Sequence, residues 1–158
     1  MSDSHGREEN LKKAIEQCSP IDMFVFCGDG GDLYTRIKDY VGPDCDVYMV
    51  KGNNDFGCNL PQMLVFMIGK KKALLVHGHR QGVSYDLTEL SLLARDQHCS
   101  IAFFGHTHFP ERNVTNGILC LNPGSISYPR QRGRRPSFLL IEMDEQGELT
   151  EHFSYMNL

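Results

Sequence analysis

Tryptophan is absent from this 158-residue chain, and no CxxC pair occurs among its six cysteines. Cys18, Cys27, Cys45, Cys58, Cys99 and Cys120 are irregularly spaced, and several lie in apolar runs. There a free thiol behaves as a small buried hydrophobe, so the even count does not argue for a disulfide framework. No stretch approaches the ~18 consecutive apolar residues of a membrane-spanning helix. The first residues are polar, which excludes a secretory apolar segment there. These absences lead to the expectation of a reducing, cytoplasmic setting and no membrane partner. There is no basic excess either: the net charge is −4, so no overall field invites nucleic acid, and no stable nucleic-acid partner is expected. Arg130, Arg132, Arg134 and Arg135 make one local basic run. It reads as a solvated loop, with contact to an anionic substrate or a partner as the alternative. Internal repeats, low-complexity tracts and linkers are also lacking. With 41% hydrophobic and 23% charged residues, positions 1–158 are expected to form one domain with a real core.

What is present is a series of short apolar runs that end in polar clusters. Residues 8–18 carry Leu11, Ala14, Ile15 and Cys18 at helical spacing, and Pro20 closes that helix. Residues 22–27 and 46–50 read as buried strands, with an amphipathic helix over 33–41 between them. Residues 52–61 are too polar and glycine-rich for either element and read as a site loop. Two strands, 62–68 and 72–76, flank a lysine turn around Gly69. A helix is expected over 87–98, with Leu87, Leu90, Leu93 and Ala94 on one face. Asn116-Gly117, between 112–115 and 118–122, is a strong hairpin signal. A second hairpin joins 137–143 to 148–155. Strand and helix alternate at first, and strands dominate the last third. This pattern suggests parallel strands giving way to antiparallel ones, in two packed sheets with helices outside.

The run 23–27 leads into Gly28-Asp29, 47–50 into Gly52-Asn53-Asn54-Asp55, and 73–76 into His77-Gly78-His79. The run 101–104 leads into Gly105-His106-Thr107-His108, while Asp3-Ser4-His5-Gly6 has no apolar run before it. Ligands in α/β proteins gather outside the carboxyl ends of strands. Asp3/His5 and His106/His108 are i, i+2 pairs, which extended backbone would project to one side. Asp29 supplies a carboxylate able to bridge two cations, Asn53 a carbonyl oxygen and His77 an imidazole. This nitrogen and oxygen set, without thiolate, suits divalent manganese, iron, nickel, cobalt or zinc. Seven ligands exceed one site but fit two metals that share Asp29. Such a pair can clamp the attacking and leaving oxygens of a phosphoryl transfer. Taken singly, His77 reads as a core or loop histidine and Gly52-Asn53-Asn54-Asp55 as a turn. Five clusters in one order carry the weight.

With Asn122-Pro123-Gly124-Ser125, these clusters resemble the calcineurin-like metallophosphoesterase superfamily, in its group of small bacterial and archaeal phosphodiesterases. The family pattern is D-x-H, G-D, G-N-x-D/E, H-G-H, G-H-T-H and N-P-G-S, and the match spans residues 3–130. The resemblance implies a four-layer α/β/β/α sandwich of two mixed sheets, with a dinuclear site at strand ends. One metal would take Asp3, His5, Asp29 and His108, and the other Asp29, Asn53, His77 and His106. Manganese comes first, with nickel, iron, cobalt and zinc as alternatives. The implied activity is hydrolysis of a small or nucleotide-like phosphate ester by a metal-bridging hydroxide. A diesterase is expected first; a monoesterase is the alternative. A non-catalytic interaction scaffold is another, since a retromer subunit shares this fold. Asp29, Asn53, Asp55 and His79 are the candidate catalytic residues. Asp55 either orients a neighbour or caps its loop, and His79 either contacts substrate or orients His77. Ser125 and Arg130 are candidates for the pocket border, and a homo-oligomer is left open.

Two departures from the pattern stand out. Larger members carry a histidine where this chain has Asn54, which cannot donate a proton at neutral pH. The expected leaving group therefore departs with little protonation. Members also begin with an apolar strand leading into D-x-H, where this chain has Met1-Ser2. The expectation is that the first strand is lacking and that the native protein is a few residues longer.

Overall fold

The computed structural model describes residues 1–156. Helix α1 spans Glu9–Cys18 and buries Leu11, Ala14 and Ile15. Its N-cap, Glu8, makes no side-chain capping bond. Complete burial of Leu11 and Ile15 contributes about 2 kcal/mol each, more than the ~1 kcal/mol a cap supplies. Ser19 turns extended ahead of Pro20, which ends the helix.

Strand β1 (Met23–Phe26) pairs in parallel with β2 (Asp46–Met49). The segment between them is not one helix. A 3-10 turn over Gly31–Thr35 gives way at Arg36 to a short α2, Ile37–Val41. Two interactions pull the ends apart: the Gly31 N–H is drawn to Asp55, while the Arg36 guanidinium pairs with Glu8.

The main sheet holds β3 (Met63–Ile68), β4 (Lys71–Val76), β5 (Ile101–Phe103), β6 (Pro110–Thr115) and β7 (Ile118–Pro123), in the order β3-β4-β5-β7-β6. The inner β4, β5 and β7 run parallel, and the outer two strands are antiparallel. Helix α3 (Thr88–Asp96) crosses from β4 to β5 and packs Leu90 and Ala94 over Leu74, Ala102 and Cys120. Strands β8 (Ser137–Met143) and β9 (Leu149–Tyr155) form the last antiparallel pair.

The other face of the main sheet presents Phe66, Leu75, Phe103 and Leu121 to Val25, Tyr48 and Leu139 of the two smaller strand pairs. Tyr48 stacks on Phe66 with ring centroids 4.3 Å apart. A further cluster joins Leu11 and Ile15 of α1 to Phe24, Phe26 and Phe138. The six thiols are free. No helix among the described residues is long and apolar enough to cross a membrane.

One expectation needs refinement. The main sheet is continuous, but the second is divided into β1-β2 and β8-β9. Among the described residues, Met1 to Asp3 lie between the halves. The Cys27 N–H donates to the Met1 carbonyl (3.0 Å) and Asp3 N–H to the Gly28 carbonyl (3.0 Å). On the other side, the Ile126 N–H donates to the Ser2 carbonyl (3.1 Å). Beyond Met1, β1 and β8 part around a cavity of about 560 Å³ lined by Phe24, Val25, Phe138 and Leu140.

Candidate metal centre

The ends of β1, β2, β4 and β5 open onto one place, where the chain delivers Asp29, Asn53, His77 and His106. The backbone reaches them by an unexpected route. Asp3, His5, Asp29, His106 and His108 all lie in the left-handed region, with φ between +48° and +69°. The i, i+2 pairs are therefore not extended, and left-handed turns make their side chains converge. Small neighbours make room for those turns. A Cβ on Gly52 would stand 2.0 Å from Asp29 Oδ1, and one on Gly105 would stand 2.1 Å from Ser2 Oγ and 2.8 Å from Asp3 Oδ2.

Two groups of donor atoms meet at this place. In the first, His108 Nδ1 donates to the Tyr128 carbonyl at 2.6 Å. That fixes the ring proton, so Nε2 carries a lone pair. Nε2 points at His5 Nε2 (3.2 Å) and at Asp3 Oδ1 (3.2 Å). Asp3 is fully buried, and this oxygen has no conventional hydrogen-bond donor. In the second group, His77 Nδ1 donates to the Cys27 carbonyl at 2.7 Å, which leaves Nε2 facing Asn53 Oδ1 (3.0 Å) and Asp29 Oδ2 (3.5 Å). His106 Nδ1 is also 3.0 Å from Asn53 Oδ1. Asp29 Oδ2 lies 3.8 Å from His5 Nε2 and so faces both groups. Buried lone pairs aimed at one another without a proton between them are costly. A cation resolves that conflict, and this donor set fits divalent transition metals. Asp3, His5 and His108, and likewise Asp3, Asp29 and His77, each offer atoms within 4.8 Å of one another.

Burial and neighbouring charges act against each other on these groups. Burial would raise the Asp3 carboxyl, but the approach of His108 and the charge of His77 bring it below its ordinary value. Burial pushes His106 down, with His77 adding to the effect. For His108 burial also acts downward, yet the Asp3 carboxylate outweighs it and raises the group.

The remaining candidates sort by what they touch. Asp55 Oδ2 accepts from the N–H groups of Asp29 (2.8 Å) and Gly52 (2.8 Å), and Oδ1 from Gly31 (2.8 Å). It braces two ligand loops at once. The ring of His79 stands 5.4 Å from His77 and 6.1 Å from His106, and burial lowers its pKa first, then the charges of His77 and His106. Ser125 does not border the pocket: it is buried and donates to the Asp3 carbonyl at 2.8 Å. Two residues matter more than sequence reasoning indicated. Asn54 donates to Asp29 twice, from its backbone N (2.8 Å) and from Nδ2 (2.6 Å). Asn122 Nδ2 donates to the Gly105 carbonyl (2.9 Å) and Thr107 Oγ1 (3.0 Å), holding the loop of His106 and His108. The sequence marked both, Asn122 in the N-P-G-S motif and Asn54 as a departure from the family pattern, but gave no sign of these bonds.

Comparison with known proteins decides the family. Residues 1–146 match the calcineurin-like phosphoesterase superfamily domain. The chain belongs to this superfamily. The phosphoesterase domain is 34% identical over 146 residues to the probable metallophosphoesterase YsnB of Bacillus subtilis, covering 91% of this chain and 82% of that protein. A probable metallophosphoesterase of Methanocaldococcus jannaschii is 35% identical over 133 residues, covering 82% and 68% respectively. Among solved structures, a predicted phosphoesterase from Streptococcus pneumoniae superposes with a TM-score of 0.78 at 27% identity, covering 99% and 95% of the two chains. Wild-type Vps29 of Entamoeba histolytica, complexed with zinc, superposes with a TM-score of 0.71 at 25% identity, covering 95% and 89%. The phosphoesterase fold and a metal-dependent phosphoesterase family are therefore common ground for the chain.

Proposed function

We propose that this chain is a phosphodiesterase that works with two divalent metals, manganese first among them. The supporting observation is the pair of donor nests that share Asp29. Asp3, His5 and His108 would hold one cation, and Asn53, His77 and His106 the other, with Asp29 facing both. Bound there, the cations supply Lewis-acid charge for a phosphoryl group and its attacking water.

The chain's own residues set the conditions. The Tyr128 and Cys27 carbonyls hold His108 and His77 in the tautomer that leaves Nε2 free for a cation. Asn54 fixes the Asp29 carboxylate, and that duty occupies its amide, so no proton donor for a leaving group stands at this position. His79, whose ring stands 5.4 Å from that of His77, would touch the substrate. The approach over His5 and His108 is open, leaving room for both substituents of a diester.

The test combines metal analysis with turnover of bis(p-nitrophenyl) phosphate and p-nitrophenyl phosphate in manganese, nickel or cobalt. Two metals per chain, faster diester turnover and loss of at least about 10³-fold in Asp29→Ala are expected. Preference for the monoester would replace the diesterase reading. No turnover of either ester with any of these metals would overturn the catalytic one.

A further inference from the structure

Beside His5 and His108 lies a recess of about 550 Å³, walled by Tyr128, Pro129, Arg130 and Arg134. The loop that forms it is anchored to the donor nest. The Arg130 N–H donates to the His108 carbonyl (3.2 Å), while the Tyr128 carbonyl accepts from His108 Nδ1. The Tyr128 ring meets His5 edge-on, with centroids 5.4 Å apart. Further along, the Arg134 N–H donates to the Gln131 carbonyl (2.9 Å), folding the loop back so that both arginines face one space. The arginine ion pairs among the described residues are Arg36–Glu8 and Arg112–Glu151; neither Arg130 nor Arg134 takes part in one. Two uncompensated guanidinium groups therefore share an open recess, in a chain whose net charge is −4.

A guanidinium is a forked donor suited to phosphate or carboxylate oxygens. The scissile phosphate would sit over the metals, which neutralise it without these arginines. The recess is wide enough to take a further group, and its charge fits an anionic one. We infer that this recess is a subsite for a second anionic group of the substrate, a phosphate or carboxylate carried on a substituent of the scissile phosphate. This rests on the phosphodiesterase reading and narrows it. The preferred substrate class becomes nucleotide-like diesters with an additional negative charge, and simple diesters are poor substitutes. Arg130 and Arg134 set specificity and do not take part in the bond-breaking step.

Two chromogenic probes separate this role from a structural one: thymidine 5′-(p-nitrophenyl phosphate), with and without a 3′-phosphate. In the wild-type protein the 3′-phosphate is expected to lower KM about tenfold and to change kcat by less than about twofold. In the double variant Arg130→Ala/Arg134→Ala, that discrimination falls below about twofold, while KM for the probe without the 3′-phosphate hardly moves. The variant Arg130→Lys/Arg134→Lys recovers part of the discrimination. Equal KM values for both probes in the wild type would overturn the inference, and so would retained discrimination in the alanine variant. Direct binding of thymidine 3′,5′-bisphosphate and thymidine 5′-monophosphate distinguishes a failed subsite from a failed diesterase reading. If neither probe turns over, tighter arginine-dependent binding of the bisphosphate still supports the subsite, and equal binding overturns it. A third arm uses inorganic phosphate. If free phosphate competes in the wild type but not in the alanine variant, and the two probes have equal KM, the recess is a free-anion site and the substrate claim fails.

Discussion

On one side of Asp29 the candidate ligands stand at the ends of strands; on the other they hang on turns. His77 follows β4 directly, is buried, and has its outer ring nitrogen tied to the Cys27 carbonyl. Asn53 sits in a loop that Asp55 closes onto the Gly52 N–H and ties to the Asp29 N–H. Opposite, Asp3 and His5 belong to no strand, and the His5 side chain is 24% exposed. His77 keeps its place by packing. The part-exposed His5 relies more on whatever it binds, because part of the binding energy goes into ordering it.

The most disruptive way to break this contrast is to remove the brace that serves both ligand loops. Asp55→Ala strips an acceptor from three backbone N–H groups and is expected to destabilise the protein by about 3 kcal/mol in urea unfolding. It should also cost metal on both halves, in contrast to a change of any candidate ligand other than the shared Asp29. Next in size is a paired comparison of metal stoichiometry. His5→Ala should release one cation and leave the other bound as in the wild type. His77→Ala should weaken the tighter class by at least about tenfold in an equilibrium titration. Equal affinities for the two metals in the wild type would contradict the contrast. The smallest effect concerns Glu8, just after the turn-built segment. Burial would raise its carboxyl, but the Arg36 guanidinium and the Tyr40 hydroxyl bring it below its ordinary value. A depressed folded-state pKa contributes stability that is present above about pH 4.5 and lost as the pH falls through the folded value. Glu8→Gln should therefore melt a few degrees below wild type at pH 6, with the gap closing under acid.

Much of this was legible in the chain, for identifiable reasons. Apolar runs bounded by glycine and polar clusters became strands because a short continuous run suits a strand covered on both faces, as in Leu74, Leu75 and Val76 ahead of His77. Asn116 and Gly117 both take positive φ at the β6–β7 turn, as that dipeptide implies. What could not be read locally depended on distant partners. The break at Arg36 is tied to Glu8, 28 positions earlier. Asp55 was open between orienting a neighbour and capping its loop, because the three N–H groups it accepts from are brought together only by the folded loops. The left-handed turns at the ligands were hidden for the same reason: i, i+2 spacing is compatible with extended backbone and with a tight turn alike.

Those turns have a bearing on how variants of this protein should be judged. Five candidate ligand positions hold aspartate or histidine in a conformation that only glycine adopts freely. Each position therefore lies under opposed demands, since a side chain proposed to bind metal stands where glycine would meet less backbone strain. Relaxed selection on activity would let these positions drift toward glycine and gain stability as they lose the metal. A quantitative mark follows: without metal, His106→Gly should be more stable than His106→Ala by about 1 kcal/mol. Alanine scanning of this centre thus mixes lost chemistry with retained strain, whereas glycine replacement separates the two.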